Sequence, residues 1–201
     1  MNRLFYLVSL AILFSCFQSK ADDGYRLWLR YDPVSDPHLL QSYQKSINGW
    51  IIEGTSPSSI VTSTELQKGL NGLLGKNIEH VTALKRNGII VAGTPDNSSI
   101  ISSLKLKRKL SGLGDEGYLI LTTKYRLKKI IVIAANKDAG VLYGTFHFLR
   151  LMETHRDISK LEIASSPKVK IRILNHWDNL NRSVERGYAG LSLWDWNSLP
   201  D

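Results

Sequence analysis

The pattern of apolar and polar positions predicts an alternation of strands and helices that ends near residue 166. In Tyr25 to Tyr31 apolar and cationic side chains partly alternate, which predicts a strand, and Asp32-Pro33 and Asp36-Pro37 break it. Asp36 as cap and Pro37 as first helical residue predict a helix over His38 to Ile47. Ser56-Pro57-Ser58-Ser59 reads as a loop or turn, and Thr62-Ser63-Thr64 as the cap of a helix carrying Leu66, Leu70, Leu73 and Leu74. Gly75 is placed to end it. Gly88 to Gly93 predicts a short buried strand. Thr94-Pro95-Asp96-Asn97 then turns the chain into a helix with Ile100, Ile101, Leu104 and Leu110.

Gly117 to Thr123 and Lys129 to Ala134 predict two strands, and the short link Lys124 to Lys128 makes them a hairpin. Asn136 to Glu153 has the strongest helical pattern, with Val141, Leu142, Thr145, Phe148, Leu149 and Met152 on one face. Gly140 and Gly144, four apart, would let that helix approach the sheet closely. The sum is an α/β layer, a mostly buried sheet with helices packed on it. Ser165-Ser166-Pro167 marks a boundary. Lys168 to Leu174 then predicts one more strand, and a polar, aromatic stretch follows it with little periodicity.

The amino terminus changes the picture. Arg3, the apolar run Leu4 to Phe14, and Ser19-Lys20-Ala21 before Asp22-Asp23 have the form of a signal peptide over residues 1–21, too short to span a bilayer comfortably. The expectation is export to the periplasm or the extracellular space. Leu13-Phe14-Ser15-Cys16 offers a rival lipoprotein reading, weakened by the bulky Phe14. Cys16 is the only cysteine, so the chain after residue 21 has no disulfide, thiol nucleophile or cysteine-bound metal. The net charge is +8, and the leader holds Arg3, Lys20 and no acid, leaving +6 for the rest. A basic chain suits an acidic ligand, a uronic acid or a nucleic acid, or simply a soluble surface, and export disfavours nucleic acid.

Gly112-Leu113-Gly114-Asp115-Glu116-Gly117 matches the spelling of the dinucleotide fingerprint. That motif needs a strand before it and a helix after it, and here the order is reversed, so these glycines read as a helix stop and turn. Lys105, Lys107, Arg108 and Lys109, and Lys124, Arg126, Lys128 and Lys129, form two basic runs with only Tyr125 for stacking. They read as a solvated helix face and a hairpin tip. His147 and His155 are eight apart without a carboxylate in ligand spacing, so no metal site is expected, and no cofactor. Asn97-Ser98-Ser99 and Asn181-Arg182-Ser183 match the glycosylation pattern. No Gly-x-Ser-x-Gly elbow occurs, and nothing before Pro167 carries a catalytic signature.

The chemistry concentrates in Asn175 to Trp196, where three of the five tryptophans fall. Tryptophan offers a flat apolar face to a sugar ring, and Asn175, His176, Asp178 and Arg182 surround Trp177 with groups that bond hydroxyls and a carboxylate. Arg182 and Arg186 would present two cations to an anionic sugar. The residues alone leave two readings open, a sugar site and an irregular loop with a buried tryptophan.

The run Arg172 to Gly190 (Arg-Ile-Leu-Asn-His-Trp-Asp-Asn-Leu-Asn-Arg-Ser-Val-Glu-Arg-Gly-Tyr-Ala-Gly), followed by Trp194-Asp195-Trp196, resembles the segment that opens the catalytic barrel of family 67 α-glucuronidases. Upstream, Ser63 to Leu70 and Asn136 to Gly144 resemble that family's amino-terminal α/β domain. After the signal peptide 1–21, the resemblance implies two parts: a two-layer noncatalytic α/β domain over 22–165, and the first strand and loop of a (β/α)8 barrel over 166–201. It implies hydrolysis, with inversion, of glucuronic or 4-O-methyl-glucuronic acid from xylo-oligosaccharides. Its catalytic carboxylates are expected on barrel strands beyond Asp201, so none is assigned here and this chain alone is expected to be inactive. By resemblance Trp177 packs on the glucuronic ring, with Asn175, His176, Asp178 and Arg182 as hydrogen-bond partners. Glucuronic-acid-substituted xylo-oligosaccharides are the expected partners, without nucleic acid or a membrane span, and the resemblance allows a homodimer. A noncatalytic carbohydrate-binding module is the alternative reading. A one-strand barrel would leave Ile171, Ile173 and Leu174 without a cover, so residues 167–201 are expected to be poorly packed or pinned on the first domain.

Overall fold

The computed structural model describes residues 30–173. Two compact units divide between Ser166 and Pro167. The first begins with helix α1 (Pro37–Ser46), where the Asp36 carboxylate accepts from the backbone N–H groups of His38 and Leu39 at 2.9 and 3.0 Å. Strand β1 (Gly49–Ile52) leads to α2 (Pro57–Leu74), and β2 (Ile89–Gly93) to the short helices α3 (Ser99–Ser103) and α4 (Lys107–Leu110). The hairpin β3 (Tyr118–Tyr125) and β4 (Lys128–Ala135), helix α5 (Asp138–Glu153) and β5 (Glu162–Ser165) complete it.

The five strands form one sheet in the order β1-β2-β4-β3-β5. The first three are mutually parallel, in register through Ile51, Val91 and Val132, and β3 runs antiparallel to both β4 and β5. Strands β2 and β4 read as unbroken apolar runs because both faces of the sheet are covered. Ile90, Ala92, Ile131, Ile133 and Ala135 pack with Leu66, Leu70, Phe148 and Leu149 of α2 and α5. On the opposite face Ile89, Val91, Ile130, Val132 and Ala134 pack with Ile101, Leu106 and Leu110. The sheet-and-helix layer is as expected, with a thinner second cover from α3 and α4.

Several boundaries differ from the sequence reading. Helix α2 starts at Pro57, because Ser56 is the cap: its Oγ accepts from Ser59 N at 3.1 Å, with proline pre-set at the first position. Thr62 and Thr64 instead lie inside the helix and donate back to the carbonyls of Ser58 and Ile60. The helix expected from Ile100 to Leu110 is two pieces, interrupted at Lys105 with φ 54°. The hairpin link shortens to Arg126-Leu127, both left-handed at φ 44° and 66°, as a two-residue primed turn requires. Strand β1 was not foreseen. Lys168 to Ile173 is not a strand: β5, just upstream, takes the open edge of β3 through Tyr118↔Ser165 to Leu121↔Glu162, and Pro167 follows without an N–H to continue a ladder. Ile171 and Ile173 are 76% and 82% exposed. Of the strand expected over Tyr25 to Tyr31 only Arg30 and Tyr31 are described, and neither is in a strand.

Candidate functional site

The residues the sequence singles out for sugar contact, Asn175, His176, Trp177, Asp178 and Arg182, lie outside the described residues, as does the leader 1–21. Within the first unit two places gather polar and aromatic side chains.

The first is the carboxyl end of the three parallel strands, where open α/β sheets usually hold their ligands. Each strand there feeds a loop and a helix amino terminus. Asp138, at the start of α5, accepts from Ser56 Oγ at 2.5 Å and from Asn97 Nδ2 at 2.7 Å. Asn97 in turn accepts from Thr94 N at 2.8 Å. Glu53, just past β1, accepts from Ser98 Oγ at 2.6 Å and Ser99 Oγ at 2.8 Å. Burial raises the Glu53 carboxyl, but hydroxyl donors Ser98 and Ser99 and the N–H groups of Ile100 and Ser99 outweigh it and hold the group below its ordinary range. Gly54 leaves room for these groups: a Cβ would stand 2.5 Å from Ser59 Oγ and 2.7 Å from Asn97 Nδ2 and would displace them. Both carboxylates are thus committed to holding loops and helix starts together.

The second is the outer face of α5. Gly140 and Gly144 bring its inner face onto the sheet, as expected: Cβ atoms there would stand 2.5 Å from Gly117 O and 2.8 Å from Ile133 Cγ2. Beside that glycine stripe, on the side where α5 overhangs Tyr118 of β3, lie Tyr143, Phe146, His147 and Arg150, at spacings i, i+3, i+4 and i+7. With Tyr118 and Glu153 these residues line a groove of about 840 Å³. The Tyr118 hydroxyl and His147 Nδ1 lie 2.8 Å apart, with the rings edge to face. Burial, then the nearby Arg150 cation, lowers the His147 pKa and favours the neutral imidazole. Glu153 is raised by burial, held back by Arg150 and raised again by Asp32. The Arg150 guanidinium is exposed and makes no hydrogen bond or close ion pair among the described residues. From the sequence, His147 is weighed only as a metal ligand, and the helix only by its apolar face. The second stripe was visible as an i, i+3, i+4, i+7 set of aromatic and cationic residues.

Among the described residues no three His, Cys, Asp or Glu side chains gather as metal ligands, and no helix is long and apolar enough to cross a membrane. The Gly112 to Gly117 run joins α4 to β3.

Residues 27–148 match the family model described as glycosyl hydrolase family 67 N-terminus, and residues 151–201 match the family 67 middle domain. The chain belongs to glycosyl hydrolase family 67. Its relatives include alpha-glucuronidase A of Aspergillus tubingensis, 31% identical over 201 residues, covering 96% of this chain and 22% of that protein. Alpha-glucuronidase A of Emericella nidulans is 30% identical over 192 residues, covering 88% of this chain and 21% of that protein. The chain therefore spans about a fifth of the length of these family 67 relatives. Among solved structures, a family GH115 4-O-methyl-alpha-glucuronidase with specificity for decorated arabinogalactans aligns with a TM-score of 0.48 and 18% identity, over 62% of this chain and 18% of that one.

Proposed function

We propose that this chain is the amino-terminal part of a family 67 α-glucuronidase that removes glucuronic or 4-O-methyl-glucuronic acid from xylo-oligosaccharides in xylan degradation. One observation carries the reading: the family's N-terminal and middle-domain models match the chain in that order, from residue 27 to residue 201. Inverting hydrolysis needs a carboxylic acid and a carboxylate base on opposite sides of the scissile bond, with room for water between them. Glu53 and Asp138 do not meet that need, because each already accepts from two side-chain donors. The catalytic pair belongs to sequence that the relatives have after the part aligned here. In this reading Trp177 packs on the uronic ring, with Asn175, His176, Asp178 and Arg182 as its polar partners.

The test compares two proteins on aldouronic acids, with release of free glucuronic acid as readout. A chain extended to the length of the relatives is expected to hydrolyse them with inversion, and the 201-residue chain is expected not to. An extended chain that folds and releases nothing would overturn the reading. Export is part of the same proposal, and it places Asp22 at the mature amino terminus. Intact mass of the secreted protein checks this, and acyl-chain labelling at Cys16 would point instead to a lipoprotein.

A further inference from the structure

We infer that the outer face of α5 is a second carbohydrate subsite, one that takes an acidic oligosaccharide carrying a uronic carboxylate. The inference rests on the glucuronidase reading for the chemical class of its ligand. The groove itself rests on geometry in the first unit. Tyr143 and Phe146 are neighbours on one helix face, and Tyr143 is a large aromatic left 39% exposed. Aromatic faces at this spacing offer apolar area to the flat side of a pyranose, and such rings bind with little loss of side-chain freedom. Arg150, one turn further on, is exposed, its guanidinium makes no hydrogen bond or close ion pair among the described residues, and it is suited to a carboxylate through a forked pair of hydrogen bonds. The volume of about 840 Å³ falls within the range of about 300–1,000 Å³ typical of small-ligand pockets.

The polar groups are arranged so that a sugar and not a plain apolar ligand fits. The Tyr118 hydroxyl fixes His147 through Nδ1 at 2.8 Å, and Nε2 of that neutral ring has no partner among the described residues. It can donate to or accept from a ligand hydroxyl. Glu153, three residues beyond Arg150, also lines the groove and repels a carboxylate at that end. The ligand's acidic group is thereby directed to Arg150, with its ring on Tyr143 and Phe146. The net positive charge, +8 for the chain with its leader, favours the same class of ligand.

Affinity electrophoresis of the 201-residue chain tests this, in gels containing glucuronoxylan and in parallel gels containing unsubstituted xylan. Glucuronoxylan is expected to retard the wild type more than unsubstituted xylan does. Arg150→Gln is expected to weaken that retardation about tenfold, to the level seen with unsubstituted xylan, and Arg150→Lys to restore part of it. Tyr143→Ala is expected to weaken binding to both polymers. Far-UV circular dichroism checks that each variant remains folded, which the exposure of Tyr143 and Arg150 favours. Unchanged retardation in folded Tyr143→Ala and Arg150→Gln overturns the proposal, as does retardation lost only in Trp177→Ala. So does a wild-type chain that elutes as a dimer dissociated by Tyr143→Ala, which would make the groove a self-interface. Failure of the glucuronidase reading shows separately, as absence of glucuronic acid release by the extended chain.

Discussion

Replacing Gly140 by alanine tests how closely α5 lies on the sheet. In an ordinary exposed helix the change would stabilise by about 1 kcal/mol, because glycine is a poor helix former. Here the new Cβ would stand 2.5 Å from the Gly117 carbonyl oxygen and 2.8 Å from Ala135 Cβ. Neither atom is the end of a flexible side chain. Gly117 is itself wedged, since a Cβ there would lie 2.2 Å from Leu113 O, and the next residue, Tyr118, is paired with Ala135 in the ladder. Relief therefore requires moving the helix, and overpacking a rigid contact costs about 3 kcal/mol or more. The net loss is about 2 kcal/mol, a fall in Tm of roughly 6–8 °C for a domain of this size. Gly69→Ala is the internal comparison. Its Cβ meets only side-chain atoms of Leu149, Cδ1, Cδ2 and Cγ at 2.6, 2.7 and 3.2 Å; a buried side chain yields more readily than backbone, and with the helix-propensity gain the net loss is expected to be about 1 kcal/mol, smaller than at Gly140. Gly112→Ala, with nothing within 4 Å, is the neutral control. Thermal and urea unfolding followed by far-UV circular dichroism gives all three. A Gly140→Ala protein that melts at or above wild type, or a Gly69→Ala protein that loses as much, would refute the close-approach argument.

The remaining predictions concern the polar edge and the hairpin. Asp138→Ala leaves Ser56 Oγ and Asn97 Nδ2 without their acceptor and is expected to cost about 2 kcal/mol by urea unfolding. The depressed Glu53 pKa means that this group contributes stability above the unfolded carboxylate range and loses it as pH falls through the lower folded value. Glu53→Gln is therefore less stable than wild type at neutral pH, and the gap closes below about pH 4.3. In the hairpin, Leu127 is 91% exposed at φ 66°, so Leu127→Gly relieves the left-handed penalty and is expected to stabilise by about 1 kcal/mol. Asn97 lies in a glycosylation pattern, but its side chain is bonded to Thr94 N and Asp138. Mass spectrometry after expression in a eukaryotic secretory host is expected to find it unmodified.

The strong periodic elements were legible because one physical signal dominated each. Asp36-Pro37 fixes the start of α1, and the apolar runs at Ile89 and Ile130 identify doubly covered strands. The Gly140 and Gly144 pair announced a close approach that the geometry contains. The misses share a cause: pairing partners are not local. Trp50-Ile51-Ile52 is too short to declare itself and becomes a strand by lying beside Ile90, Val91 and Ala92. Glu162–Ser165 alternates only weakly and is a strand because β3 has an open edge. Lys168 to Ile173 has the better pattern and no ladder among the described residues. At Ser56 the error was one of weighting, since a serine before proline outranks threonines six and eight residues later as a helix start. The outer stripe of α5 was overlooked because an amphipathic helix is ordinarily read for its buried face.

The two polar places in the first unit differ in a way that decides which can bind. At the strand ends, Glu53, Ser56, Asn97, Ser98 and Asp138 bond one another, so a ligand hydroxyl entering there would exchange one hydrogen bond for another of similar worth. It would also release the starts of α2, α3 and α5, which those bonds hold. The groove on α5 has the opposite balance. Tyr143 is exposed and the Arg150 guanidinium makes no hydrogen bond or close ion pair among the described residues, so a sugar ring gains apolar contact and a carboxylate gains a charged hydrogen bond without breaking one described there. The usual ligand position of an open α/β sheet has here become a structural joint, and the capacity for binding has moved to the helix that covers it. The same reasoning separates their variants. Asp138→Ala should lower stability and leave affinity for glucuronoxylan unchanged, whereas Arg150→Gln should lower affinity and leave the unfolding midpoint in place.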